Sequence, residues 1–375
     1  MAGIYIHIPF CKQRCTYCDF YTEVAPGFIP SLVEAIVLEL KIRKDYIQNL
    51  PINTIYFGGG TPSILSVEQF SRIFEAIDSL YSVAEDAEIT FEANPDDLTV
   101  EFLNAIRPLP FNRISIGIQS FDDCDLKRIN RRHSSLQAIK AVKDTQNAGF
   151  DNISIDLIYG LPFQTLEAWE KQLDTALDLQ VQHISAYGLT YEEGTLLWKQ
   201  RENGAIETVD ELIMNKMYLL LVEKTKHKGF EAYEISNFAL PKYRSRHNSS
   251  YWKQEPYLGV GPSAHSYDLI SRQWNVSSIA EYMKAINTHA TFFEREVLSL
   301  NDRYNDFVMV SLRTTDGLDV SKMEKEFGTD LAAYCLRNIK TFTDSEKVYY
   351  SDGKLRLTAD GIQISNLILI QLMKV

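Results

Sequence analysis

The 375-residue chain carries 38 Lys and Arg against 50 Asp and Glu, a net charge of −12, and 45% of it is hydrophobic. That is the balance of a globular protein long enough for one large domain with an appendage, or for two domains. A nucleic-acid partner would want a basic footprint, and overall there is none. The opening residues do not read as a signal peptide and no apolar run is long enough to span a bilayer. The expected location is therefore cytoplasmic, with no transmembrane segment and with peripheral membrane contact left open. Five cysteines are too few, and odd in number, for a disulfide framework.

The chain begins with an apolar run, Ile4-Tyr5-Ile6-His7-Ile8, that reads as a strand, followed closely by Cys11-Lys12-Gln13-Arg14-Cys15-Thr16-Tyr17-Cys18. Three thiols at x3 and x2 spacing suit zinc or an iron–sulfur cluster. Zinc would need a fourth ligand, and the nearest candidate, His7, lies a strand-length upstream. A [4Fe–4S] cube on three cysteines instead leaves one iron open to chelate a small molecule. That spacing, after an N-terminal strand, resembles the signature of the radical S-adenosylmethionine (SAM) superfamily. Cys124 and Cys335 stand alone in helical-looking sequence and read as packing residues.

Further apolar, β-branched runs follow at Thr54–Phe57, Glu88–Ala93, Arg113–Ile118, Asn152–Ile158 and His183–Leu189. Between them lie segments of helical periodicity, Pro30–Tyr46, Val67–Tyr81, Asp122–Ala148 and Leu166–Leu179. The alternation predicts an α/β fold with a parallel sheet. Six units, without a clear seventh and eighth, predict a partial (β/α)6 TIM-like barrel; a doubly wound sheet is the alternative. In both, ligands gather at the carboxyl ends of the strands.

The motifs cluster at those ends. Gly58-Gly59-Gly60-Thr61-Pro62 follows the second strand and lets a ligand approach the backbone closely. The third strand runs into Glu92-Ala93-Asn94-Pro95, the fourth into Gly117-Ile118-Gln119-Ser120-Phe121, and the fifth carries Asp156-Leu157-Ile158-Tyr159-Gly160-Leu161-Pro162. Glu92, Gln119 and Asp156 are hydrophilic groups ending apolar strands. Either they close the barrel mouth as a polar network or they bind the polar ends of SAM. Arg131, expected at the start of a long helix, offers a guanidinium for a carboxylate, though alone it reads as a solvated basic turn.

These runs, with Ile4-Tyr5-Ile6-His7-Ile8-Pro9-Phe10-Cys11, resemble the oxygen-independent coproporphyrinogen III oxidase family over nearly the whole chain. The resemblance implies a [4Fe–4S] cluster on Cys11, Cys15 and Cys18. It further implies SAM contacts from Tyr5, Tyr17, Gly59, Gly60, Thr61, Glu92, Gln119, Arg131 and Asp156, with Gly188 a weaker carry-over. The family's oxidases have a further cysteine two residues after the third ligand, where this chain has Phe20. That departure resembles the haem-chaperone (HemW-type) branch, whose members bind haem as cargo and are thought to pass it to haemoproteins such as those of respiration. The alternative is the oxidase itself, which decarboxylates coproporphyrinogen III to protoporphyrinogen IX by SAM-dependent radical chemistry. Whether the chain is an enzyme stays open at this point.

His247-Asn248-Ser249-Ser250-Tyr251-Trp252 matches the HNxxYW motif of the chaperone branch and makes His247 the haem candidate, with His265 a second possible ligand. The expected division is a radical-SAM core over residues 1–235, an extension carrying that motif over 236–300, and a small helical, winged-helix-like domain over 301–375. In the last, Asp352-Gly353 predicts a hairpin turn. That domain is expected to cap the barrel's open edge or cover the substrate.

Overall fold

The computed structural model describes residues 1–374. Each predicted apolar run is a strand: β1 (Ala2–Ile8), β2 (Ile52–Gly59), β3 (Val83–Ala93), β4 (Arg113–Gln119), β5 (Ile153–Tyr159) and β6 (His183–Gly188). They pair in parallel and in chain order. A doubly wound sheet needs a reversal of strand order, and β1 to β6 contain none, so the winding is that of an open barrel. Ile4, Ile6, Ile8, Ile114, Ile116, Ile153 and Ile155 are all fully buried. Strands covered on both faces read as unbroken apolar runs, which is why these six were legible.

Helices Ile29–Ile42, Val67–Leu80, Ser135–Asn147 and Leu166–Asp178 are among the crossovers. Ser66 with Gln69, and Ser134 with Gln137, close capping boxes that start two of them. The single helix expected over Asp122–Ala148 is two, Asp123–Arg128 and Ser135–Asn147. Asn130, at φ 59°, turns the chain out of the first, so Arg131 sits in a link between helices and not at the start of a long one.

Residues 236–300 are not a separate extension. β7 (Glu231–Ala232) and β8 (Asn237–Ala239) add antiparallel to β6, so a boundary at residue 235 would cut a hairpin. On the other edge β9 (Tyr257–Val260) pairs parallel with β1 as a seventh parallel strand. It is followed by antiparallel β10 (His265–Tyr267), β11 (Ser271–Asn275) and β12 (Phe293–Val297). These strands are short, and β9 contains Gly259, so they leave little periodic signal.

The C-terminal unit has a core of its own, including Tyr304, Phe307, Leu312, Met323, Ile339 and Ile368. Helices Leu300–Leu312, Val320–Phe327 and Thr329–Asp344 pack with a sheet of β13 (Leu318–Asp319), β14 (Val348–Ser351) and β15 (Lys354–Leu357). Asp352 and Gly353 both have positive φ, 52° and 75°, as a type I′ hairpin turn requires. The unit meets the barrel away from the cysteine loop: a cavity of about 430 Å³ there is lined by Met1 and Asn53 from the strand starts, and by Trp252 and Phe307. It therefore closes the amino-terminal end of the strands; of its two expected places, the barrel's open edge and the substrate side, the second is corrected.

Candidate cofactor site

At the carboxyl ends of the strands lies a cavity of about 570 Å³, and the cysteine loop after β1 forms one wall. Cys11, Cys15 and Cys18 all face it half-buried. The loop is held from several sides. Lys12 Nζ donates to Asp97 at 2.6 Å, Gln13 Nε2 to Asn130 Oδ1 at 2.7 Å, and the Thr16 amide to the Ile129 carbonyl at 3.1 Å. Those anchors place the thiols against the end of β3 and the link that carries Arg131. Among the described residues, no three of the usual metal-ligating side chains converge on a single ion. A four-iron cube takes one cysteine per iron, so its three thiols stand wider apart than ligands of one metal.

His7 does not complete a zinc site. Its Nδ1 is 3.0 Å from the Tyr5 hydroxyl and its Nε2 3.4 Å from the Tyr21 carbonyl, and burial pushes its pKa down to about 4. The ring instead explains the glycine triplet. A Cβ on Gly59, which has φ 108°, would stand 2.6 Å from the His7 ring. On Gly60 a Cβ would stand 2.7 Å from the Phe10 carbonyl oxygen. Packing alone thus demands these glycines, whatever the loop also does for a ligand.

The far walls supply charge. Arg131 donates to Asn94 Oδ1 at 2.7 Å, lies 3.4 Å from Cys15 Sγ, and also meets the Gly117 carbonyl. Among the described residues no carboxylate pairs with it, and its buried Nε has no hydrogen-bond partner. A half-buried guanidinium with one buried, unpartnered nitrogen can take an anion from solution. Glu92 is half-buried with its carboxylate accepting from the Tyr56 hydroxyl at 2.8 Å, and desolvation raises its pKa to about 7. Burial also raises Asp156, although the Ser115 hydroxyl donates to it at 3.2 Å. Gln119 reaches the cavity from a bulge in β4, at φ 70°, a conformation that costs a non-glycine residue energy and aims its side chain inward.

The cavity thus gathers Cys11, Cys15, Tyr17, Cys18, Gly59, Gly60, Thr61, Glu92, Gln119, Arg131 and Asp156, with Gly188. Tyr5 is not on its wall; its ring lies 6.2 Å from that of Tyr56 and its hydroxyl is taken by His7. Among the lining residues that sequence reasoning passed over are Asn94 and Tyr187. Asn94 stood two residues after Glu92 in the same strand end, a usable signal. Tyr187 sits in an apolar strand and gave none.

Residues 5–176 match the family model described as the Radical SAM superfamily, and residues 298–364 match the HemN C-terminal domain. A protein of Lactococcus lactis called "Heme chaperone HemW" is 34% identical, the match covering 96% of this chain and 94% of that one. A Bacillus subtilis protein of the same name is 31% identical over 98% and 97%. The chain belongs to the HemW family of radical-SAM proteins. Among solved structures, "Coproporphyrinogen III oxidase (HemN) from Escherichia coli" superposes with a TM-score of 0.86 over 100% of this chain and 90% of that one, at 22% identity, a likeness of fold. No helix among the described residues is long and apolar enough to cross a membrane.

In this HemW-family chain the histidine of the HNxxYW motif is a core residue. His247 is 1% exposed, with Nδ1 2.8 Å from Thr54 Oγ1 and Nε2 2.9 Å from the Tyr251 hydroxyl, and its ring stacks 4.9 Å from Tyr56. Glu88 receives the amides of Arg246 and His247, both at 2.9 Å, so a buried carboxylate caps the helix Arg246–Trp252. Neither ring nitrogen has a lone pair open to a haem iron, which corrects the expectation that His247 reaches one. The motif's pattern reports the plug of the barrel, since a His, a Tyr four residues on and the capped turn interlock inside it.

Glu92 gives a pH-dependent prediction. Its pKa of about 7 lies above the ordinary 4.5, so the native state binds the proton more tightly than the unfolded chain. Stability from this group is full below pH 4.5 and is lost as pH rises through 7. Glu92→Gln should therefore be more stable than the wild type at pH 8, by on the order of 3 kcal/mol. The gap should vanish at pH 4, as thermal unfolding at the two pH values would show.

Proposed function

We propose that this chain holds a [4Fe–4S] cluster on Cys11, Cys15 and Cys18, binds SAM in the adjoining cavity, and carries haem for delivery to haemoproteins. The observation that carries the first part is the half-buried Arg131, in no ion pair among the described residues and beside the three thiols in one cavity. Its guanidinium is placed to take the carboxylate of the methionine moiety. Glu92 and Asp156 offer acceptors to the amino group and hydroxyls, and Gln119 adds an amide. Burial raises the pKa of Cys11, and that of Cys18 to about 11, so the thiols lose protons when they take up iron. When bound, a reduced cluster supplies an electron to the sulfonium of SAM. The haem role is supported by the names of the full-length relatives. Phe20, where the oxidases carry a cysteine, supports the chaperone over the oxidase.

The test is anaerobic reconstitution of the wild type beside the Cys11→Ala/Cys15→Ala/Cys18→Ala variant, with iron content, visible absorption and SAM binding measured on both. The wild type should take up about four irons and bind SAM, and the variant should lose both. Both proteins are then given SAM, reductant and coproporphyrinogen III, and titrated separately with haem. Protoporphyrinogen from the wild type would make the chain an oxidase and overturn the chaperone reading. Saturable haem binding with no turnover is the expected result.

A further inference from the structure

Directly beyond β3, past Asn94 on the cavity wall, the chain makes a single tight helical turn, Pro95–Asp97. Its last residue, Asp97, does not line the cavity, yet its side chain is 2% exposed and takes bonds from three separate segments. Oδ1 accepts from Lys12 Nζ at 2.6 Å and from an Arg132 guanidinium nitrogen at 3.3 Å, and Oδ2 accepts from the Ser63 hydroxyl at 2.9 Å. Asp96, just before it, gives Arg132 a second carboxylate at 2.7 Å.

Each of those three donors stands beside a residue of the cofactor site. Lys12 follows Cys11, Arg132 follows Arg131, and Ser63 is two residues after Thr61. Ser63 Oγ also accepts from the Asn94 amide at 3.4 Å, while Asn94 Nδ2 donates to Thr61 Oγ1 at 3.3 Å. The cysteine loop and the Arg131 link bond each other directly as well, through the Thr16 amide with the Ile129 carbonyl and through Gln13 with Asn130. Those bonds set two segments against each other but reach neither the glycine loop nor β3. Among the described residues, Asp97 is the side chain that bonds all three segments.

We propose that Asp97 is a positioning residue that holds the cluster thiols, the glycine loop and Arg131 in register with one another at the end of β3. The proposal rests on the cluster and SAM reading above and adds the group that keeps the two halves of that site together. A carboxylate suits the task, because its two oxygens accept several bonds at once and each bond from a cation is charge-assisted. Away from water those bonds meet little competition. The Lys12 side chain is 47% exposed and that of Arg132 20%, so both cations lean inward onto an anion more buried than themselves. Asp97 is thus the fixed point, and the loops hang from it. Groups that orient metal ligands in this way weigh about ten- to a hundredfold on metal affinity when replaced.

The test compares the full-length wild type, Asp97→Asn and Lys12→Met after anaerobic reconstitution. Iron release to a chelator and calorimetric titration with SAM are measured on each, and amide hydrogen exchange on the metal-free proteins. Asp97→Asn keeps the shape and removes the charge; it should release iron about tenfold faster and bind SAM about tenfold more weakly. Lys12→Met cuts only the tie to the cysteine loop, so iron release should quicken while SAM affinity stays within about threefold of the wild type. In metal-free Asp97→Asn, exchange should quicken over residues 11–18, 60–64 and 129–133 and stay unchanged in β1 to β6 and in the C-terminal unit. Exchange that rises evenly over the whole barrel would make Asp97 an ordinary stabilising ion pair and overturn the proposal. If Asp97→Asn does not fold, Lys12→Met decides, and iron release at the wild-type rate overturns the proposal. If the wild type takes up no iron, the cluster reading falls and this proposal with it. Iron and SAM held equally well by all three proteins would leave that reading standing and remove only the positioning role.

Discussion

Replacing Glu39 by Ala is expected to lower the stability of the barrel by about 3–5 kcal/mol, the usual cost of breaking a buried ion pair on one side. Glu39 is fully buried in the helix Ile29–Ile42, with Arg43 at 3.1 Å. Its carboxylate also accepts from the Gly261 amide at 2.8 Å, from Asn275 Nδ2 at 2.8 Å and from the Tyr282 hydroxyl. Arg43 completes the set through the Gly259 carbonyl at 3.1 Å, and Ser266 Oγ and Gln273 Oε1 at 3.0 Å. One pair therefore fastens β9, β10 and β11 to the barrel. Glu39→Ala strands the Arg43 charge and frees three donors. The double variant Glu39→Leu/Arg43→Met removes both charges together and should unfold at a higher temperature than Glu39→Ala alone. A single variant as stable as the wild type would mean that water reaches this network and shares its bonds.

Arg131→Met should weaken SAM binding to the reconstituted protein by about ten- to a hundredfold, the weight of a charge-assisted hydrogen bond to a carboxylate. The same change should move the unfolding temperature only slightly, because the half-buried guanidinium gives up hydrogen bonds to Asn94 and Gly117 but no ion pair. The two readouts together separate a binding role from a structural one. A residue that merely tied the link to β4 would cost stability when removed, and SAM affinity would follow the fold. Arg131→Lys should not rescue affinity, since an ammonium cannot meet Asn94, the Gly117 carbonyl and a carboxylate from one planar group. Calorimetric titration with SAM beside thermal unfolding decides it. Undiminished SAM affinity would remove the guanidinium from the site.

These two arginines mark the line between what can be read along a chain and what cannot. The six core strands announce themselves because a parallel strand covered on both faces has no polar side to show. The cysteine loop is legible for a simpler reason: its three thiols lie within eight residues, so proximity in sequence is proximity in space. Glu92, Gln119 and Asp156 were found because a polar residue ending an apolar run is an anomaly that asks for a ligand. Arg131 carries no such mark. Apart from the family resemblance, its guanidinium becomes notable only once Asn130 turns the chain and the cavity holds it without an ion pair among the described residues.

The same limit explains the corrections. β9 is four residues long and has no periodicity to betray it; it is a strand because β1 offers an unpaired edge more than 250 residues upstream. His247 looked like a ligand because its motif is aromatic and polar together, and only the barrel shows both of its nitrogens already taken, by Thr54 and Tyr251. His265 had the weaker motif and has the open ring. By itself the sequence determined the strand order of the core, the place of the thiols and the family. Which histidine is free, which arginine is unpaired and which end of the barrel the C-terminal unit closes were decided by tertiary structure, because satisfaction of a polar group depends on every neighbour that folding brings to it.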